Sequence, residues 1–362
     1  MTASLPPVRY AVVGAGWIAQ EAFLPAMHQV PNARTAALVS GSPDTAETLA
    51  RFHDIPRIVS YTDYDQLLAG DTIDAVYIAL PNSLHADFAI RAAQAGKHVL
   101  VEKPLAIDAT QCQAMIAAAE QTGVHLMTAY RLHHEPGTLD LLARIAAGEI
   151  GIPRLCTAVF SFLLGDGNHR LSARHWGGPL QDVGVYCLNA MRHVFGAEPQ
   201  DVSAVVSDGG GNPRYRDVPE SIAVTLRFPG GALGQFIASF GASDQDFYMV
   251  TGTKGSLRLD PGFRFETATV LEQRTGLTRQ RHPQPHSDHF GAMIRYFSDC
   301  IQNQTAPRLT GAEGLADVSI MRAIEQAALS GRAQPITGLP TPVQPGPDML
   351  RLCPLAERKL VL

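Results

Sequence analysis

Residues 9–19 read RYAVVGAGWIA. An apolar run ending in glycines is a strand delivered to a tight turn, and the residues that follow, WIAQEAFLPAMHQV (17–30), take helical spacing with a proline inside. The turn carries Gly14-x-Gly16-x-x-Ala19. In this pattern the first glycine permits the turn, the second lets backbone approach a pyrophosphate, and a small third residue lets helix and strand pack closely. A helix starting there offers N–H groups and its positive end to phosphates. Such a triplet alone is weak evidence. Placed after a strand and before a helix, at the head of an alternating segment, it points to a dinucleotide. Gly14, Gly16, Trp17 and Ile18 are therefore candidate cofactor contacts.

The alternation continues outward from this turn. TAALVSG (35–41), the near-continuous apolar IDAVYIALP (73–81), HVLVEKP (98–104) and VHLMTAY (124–130) read as strands. Between them SPDTAETLARFHD (42–54), SLHADFAIRAAQAG (83–96) and DATQCQAMIAAAEQTG (108–123) read as helices. This rhythm predicts a doubly wound parallel sheet, a Rossmann domain of α/β class. After about residue 150 the pattern changes. SIAVTLRF (221–228) and ALGQFIASF (232–240) are joined by Pro229-Gly230-Gly231, and DFYMVTGT (246–253) meets SLRLDP (256–261) through Lys254-Gly255. Successive hairpins predict a second, α+β domain with an antiparallel sheet. Helices are expected near 287–303 and 311–331, followed by a proline-rich stretch extended over the surface. The expected division is 1–129, a dinucleotide-binding domain; 130–338, a substrate-binding and oligomerisation domain; and 339–362, a tail.

Bulk properties narrow the function classes. A chain of 362 residues exceeds what one core usually supports. Its net charge of −5 and lack of a long basic run argue against nucleic acid or an anionic membrane as partner. No apolar stretch approaches the roughly 20 residues that span a bilayer, and the N-terminus lacks a leader pattern, so a cytoplasmic chain is expected. Five dispersed cysteines read as reduced thiols. His133-His134 and His282/His286/His289 lack zinc spacing, so no metal is expected. At the end of the second strand, where an NAD site usually holds a carboxylate, stand Ser40 and Ser42. Nothing at Ser40 repels a 2′-phosphate, which favours NADP. No nearby Arg or Lys welcomes one, and Asp44 could approach the ribose, which keeps NAD open.

With its glycine turn, EKP at 102–104, AYRLHHEP at 129–136 and GGPLQDVGVYCLNAMRHVFG at 177–196, the chain resembles the Gfo/Idh/MocA oxidoreductase family, most closely the glucose–fructose oxidoreductase branch. The resemblance implies a Rossmann domain followed by a domain with a large open, mostly antiparallel sheet. It implies that Lys103 is the active-site lysine, with Pro104 in a cis peptide beside the nicotinamide. Asp182 and Tyr186 fall on the family's acid and on the final position of its D-x-G-x-H/Y pattern. Tyr130 and Arg131 are implied substrate-pocket residues. The loop of Leu80, Pro81, Asn82 and His85, together with Glu102 and Lys103, is implied to line the cofactor. Trp176 could stack on a sugar or belong to the core. Pro179 replaces the third glycine of the family's GGG, and Thr45 or its neighbours replace a basic residue after VSG.

The implied reaction is NADP-dependent hydride transfer between nicotinamide and C1 of an aldose, giving a lactone, or the reverse reduction of a sugar carbonyl. A free phenol ionises near pH 10, so Tyr186 as a base calls for a neighbouring ammonium, the part Lys103 would take. Lys103 would also stabilise an alkoxide-like oxygen, with Asp182 orienting it or binding a sugar hydroxyl. The branch resemblance leans toward a cofactor retained between two sugars, and the short N-terminus toward exchange. A broad open sheet predicts a homodimer or homotetramer built through it. The alternative class is a non-catalytic dinucleotide-sensing regulator.

Overall fold

The computed structural model describes residues 5–362, which form two compact units. The first holds the chain up to His134 together with Ser287–Leu315 and Met349–Leu362. The second holds Glu135–His286 and Ala316–Asp348.

The first unit is built on β1 (Val8–Val13), β2 (Ala33–Val39), β3 (Ile58–Val59), β4 (Ala75–Ile78), β5 (His98–Val101) and β6 (Leu126–Thr128). All pairs are parallel, in the order β3-β2-β1-β4-β5-β6. The connections include α1 (Leu24–Met27), α2 (Pro43–His53), α3 (Tyr64–Leu68), α4 (His85–Gln94) and α5 (Ala109–Thr122). Ala11, Val12, Val13, Val76, Ile78, Leu100 and Val101 are buried, as the unbroken apolar runs require when helices cover both faces. The two ends of α5 illustrate local encoding. Asp108 accepts the Gln111 N–H at 2.8 Å, and Gly123 closes the helix at φ 69°.

The second unit opens with α6 (Pro136–Ala146), β7 (Pro153–Ser161) and α7 (Val185–Phe195). Seven more strands follow: β8 (Asp201–Ser207), β9 (Ser221–Arg227), β10 (Leu233–Ser239), β11 (Gln245–Gly252), β12 (Ser256–Leu259), β13 (Val270–Thr275) and β14 (Thr278–Pro283). With β15 (Gln334–Pro335) they form a nine-stranded sheet ordered β14-β13-β12-β11-β7-β10-β9-β8-β15. Among its described pairs only β7–β10 is parallel. The expected turns join β9 to β10 and β11 to β12, and the sheet is open and mostly antiparallel as expected. One face is core: Val224, Phe236, Ala158 and Tyr248 are register partners and all buried. The other carries Val205, Ala223, Ile237, Val159 and Phe247 in one cross-strand row, with Val205 71% and Ile237 45% exposed.

Two later helices are α8 (His289–Gln302) and α9 (Gly311–Ser330). In the second unit, buried Arg192 of α7 donates to Asp317 of α9 at 2.8 Å and also pairs with Glu198. Removing one partner from such a buried pair typically costs about 3–5 kcal/mol. α8 packs within the first unit: the Tyr10 hydroxyl meets Ser298 Oγ at 2.8 Å, and Asn32 donates to Asp299 at 2.7 Å. The expected division counts these residues with the second domain. The tail also differs in part from a stretch extended over the surface. It has no helix beyond a short 3-10 turn at Pro347–Met349, yet Met349 and Cys353 are buried. The Cys353 N–H donates to Ser287 Oγ at 2.9 Å, and Arg351 pairs with Asp299 at 2.9 Å.

Burial pushes His53, His98 and His134 down to about 4. Nδ1 of His98 accepts the His125 N–H at 2.9 Å and is therefore held unprotonated. The unfolded chain binds these protons near pH 6.5, so stability falls as pH drops from about 6.5 toward 4. Thermal melts across that range will show this loss. His98→Asn, whose amide oxygen takes the acceptor's place, will make the loss smaller.

Candidate active-site residues in the two units

At the end of β1 the Gly14 N–H donates to Val39 O at 2.9 Å, and the Ala79 N–H donates to Val13 O at 2.8 Å. Gly14 has φ +103°, and a Cβ on it would lie 2.3 Å from the Ala79 oxygen. Gly16 is different: a Cβ there would meet no protein atom within 4 Å. The first requirement is steric within the protein, whereas the second leaves room beside the backbone for something else. The helix that follows starts as a wide π turn, Ala19–Phe23, and continues as α1. The Gln20 N–H of its first turn donates back to the Gly16 carbonyl at 3.1 Å, so the helix starts directly from the open flank of the second glycine. That cradle fits a pyrophosphate.

The loops after β1, β2, β4 and β5 all leave the same edge of the parallel sheet. They carry Gly14 to Ile18, Ser40 and Ser42, Leu80 to Asn82, and Lys103. The strand order reverses between β1 and β4, the crevice where open α/β sheets bind dinucleotides. Trp17 is 47% exposed at this edge. The Ser42 N–H donates to Ser40 Oγ at 3.1 Å, and Ser42 Oγ donates to Thr45 Oγ1 at 3.0 Å. The first carboxylate beyond β2 is Asp44, exposed in the first turn of α2.

Two of the expected cofactor-lining residues are buried and hydrogen-bonded within the protein. His85 is fully buried, with Nδ1 2.8 Å from Pro104 O and Nε2 2.8 Å from Leu80 O. It braces the loop after β4 against the loop after β5. Glu102 is buried as well. Its carboxylate accepts the Tyr77 hydroxyl at 2.6 Å and the Lys103 N–H at 3.3 Å. Burial pushes the Glu102 carboxyl above its ordinary range, against the opposing pull of the Lys103 ammonium. The Lys103–Pro104 peptide is cis. Tyr130 and Arg131 are buried in this unit, and Arg131 Nη1 lies 3.2 Å from His289 Nδ1 on α8.

In the second unit Asp182 lies in a second π turn, Leu180–Gly184, which runs into α7 with Tyr186 one turn further on. Helical spacing puts the two side chains on one face. The Tyr186 ring packs with Phe160 and Phe263, at centroid distances of 6.0 and 6.4 Å. Asp182 Oδ2 is 3.2 Å from Arg170 Nε. Trp176 is 7% exposed with φ 52°, and it donates to Glu325 Oε1 at 2.7 Å beneath the guanidinium of Arg322. Gln181 donates to the same oxygen at 2.7 Å. These contacts favour the core reading of Trp176. No spacing rule points to Glu325, because the segment it serves is more than a hundred residues away in sequence.

Residues 8–130 match the model of an oxidoreductase family with an NAD-binding Rossmann fold, and residues 138–258 match the GFO/IDH/MocA C-terminal domain. The chain is thus an NAD(P)-dependent oxidoreductase by class. It belongs to the Gfo/Idh/MocA family. A D-xylose 1-dehydrogenase (NADP(+)) of Haloferax volcanii is 31% identical over 90% of this chain and 98% of its own. The crystal structure of an aldose-aldose oxidoreductase from Caulobacter crescentus with glycerol is 34% identical, with a TM-score of 0.86 over 91% of this chain and all of that one. A 3-ketoreductase from Actinomadura kijaniata, solved with NADP and TDP-benzene, is 29% identical, with a TM-score of 0.82 over 89% and 98%. Among the described residues no helix is long and apolar enough to cross a membrane.

The two glycines separate by experiment. Gly14→Ala will lower stability by about 2–4 kcal/mol, from its positive φ and the Ala79 carbonyl. Gly16→Ala will melt like the parent and bind dinucleotide more weakly. Thermal melts paired with nicotinamide fluorescence titrations check both.

Proposed function

We propose that this protein is an NADP-dependent sugar oxidoreductase that interconverts the C1 hydroxyl of an aldose and its lactone, or reduces a sugar carbonyl in reverse. The observation that carries the reading is likeness through both units to proteins named for such reactions, a D-xylose 1-dehydrogenase and an aldose-aldose oxidoreductase. The missing carboxylate at Ser40 and Ser42 supports NADP, since nothing at the end of β2 opposes a 2′-phosphate.

The nicotinamide, when bound, supplies the hydride acceptor or donor. In the proposed assignment the glycine turn holds the pyrophosphate, and the loops bearing Ser40, Leu80 and Asn82 flank the rest of the dinucleotide. Tyr186 takes the proton from the sugar hydroxyl in oxidation and returns it in reduction. Lys103 stabilises the oxygen as its negative charge develops. Asp182, ion-paired to Arg170, binds a sugar hydroxyl or orients its neighbours rather than exchanging protons. Tyr130 and Arg131 shape the pocket.

A panel of aldoses, read at the reduced-nicotinamide absorbance with NAD and NADP in parallel, tests the reaction class; turnover with NADP on at least one aldose is expected. Lys103→Ala will cost roughly 10²–10³-fold in kcat/KM, and Tyr186→Phe roughly 10²–10⁴-fold. Full turnover in either variant contradicts the assignment.

The open sheet face supports a homo-oligomer formed through it. Leu155, Leu233, Ile237 and Val205 stand exposed on this one face, a row of apolar side chains that a second copy of the sheet would cover. Ile237→Asp will shift the sedimenting species toward monomer, and an unchanged mass would count against this face.

A further inference from the structure

The first unit contains a contact chain that no part of the proposed reaction uses. Gln20 lies in the π turn after the glycines and is 4% exposed. Its Nε2 donates to the carbonyl of Ala15 at 2.6 Å, inside the Gly14–Gly16 turn. Its Oε1 accepts the backbone N–H of Leu362 at 2.7 Å. The amide is thus used at both ends, a donor on one side and an acceptor on the other, which fixes its orientation. Two further contacts hold the tail in place: Lys359 pairs with Glu21 at 2.8 Å, while Arg358 pairs with Asp54 at 3.0 Å and covers the Phe52 ring. Such exposed ion pairs contribute little each, and their part is to keep the tail aligned.

We infer that Gln20 is a positioning residue for the cofactor, and that residues 357–362 form a strap holding it in that role. In a trans peptide the C=O and the following N–H point in opposite directions. Anchoring the Ala15 oxygen inward therefore aims the Gly16 N–H outward, toward the open flank where a pyrophosphate would sit. The strap reaches the phosphate-binding turn through one side-chain amide. This rests on reading that turn as the pyrophosphate site.

The test uses the full chain, NADPH titrated by nicotinamide fluorescence, and adenosine 2′-monophosphate as a ligand lacking the pyrophosphate. Gln20→Leu, which keeps the bulk but not the amide, will raise the Kd for NADPH about 3- to 10-fold. A chain ending at residue 356 will do the same, and the two changes together will add little, since they act in series. Adenosine 2′-monophosphate will bind all of them as it binds the parent. An unchanged NADPH Kd in Gln20→Leu overturns the inference, as does equal weakening of both ligands, which would indicate general loosening. Gly16→Val separates the layers. If it weakens NADPH while Gln20→Leu does not, the strap alone is wrong; if it leaves NADPH binding unchanged, the pyrophosphate reading falls and the strap with it.

Discussion

The close approach of two chain segments governs the first unit. Where β1 and β4 end, the Ala79 carbonyl occupies the space a side chain on residue 14 would need. Only a residue without a Cβ, at φ +103°, allows the strand to turn there and the loop after β4 to run alongside it. The bond from Ala79 N–H to Val13 O fixes that spacing. The edge that presents backbone N–H groups to a dinucleotide follows from it. His85 repeats the arrangement one strand further on, bridging Leu80 and Pro104 carbonyls and so setting the loop after β5 against the loop after β4.

Much of this was legible from residue types. Gly14 and Gly16, the apolar run of β4 and the caps of α5 report backbone requirements that side-chain chemistry cannot disguise. The hairpin turns at Pro229 to Gly231 and at Lys254-Gly255 declare the antiparallel sheet for the same reason. Two classes of feature were not readable. One is the inward use of polar residues: His85 and Glu102 stand in loops that border the crevice, yet their hydrogen bonds face into the protein. A motif fixes a residue's place in sequence but not the direction of its side chain. The other is long-range pairing, such as Trp176 and Gln181 with Glu325, or Arg192 with Asp317. No local periodicity encodes partners that distant.

Both units place wide helical turns beside their functional candidates, Ala19–Phe23 after the glycines and Leu180–Gly184 before Tyr186. Such turns are rare and recur at functional sites, because they release backbone groups from the regular ladder. Neither AQEAF nor LQDVG carries a residue pattern that separates a wide turn from an ordinary helical one.

The placement of β7 bears on the order in which the chain can fold. Residues Pro153–Ser161 form the strand between β10 and β11, whose residues Leu233–Ser239 and Gln245–Gly252 come much later in the chain. A nascent chain therefore carries an apolar strand with both edges unpaired until those segments have been synthesised. The first unit has the same dependence on a larger scale, since Ser287–Leu315 and Met349–Leu362 belong to it. Contacts so distant in sequence slow folding and prolong the exposure of strand edges. Although its parallel sheet is encoded in the first third of the chain, this unit is completed only after the sheet of the second has been synthesised.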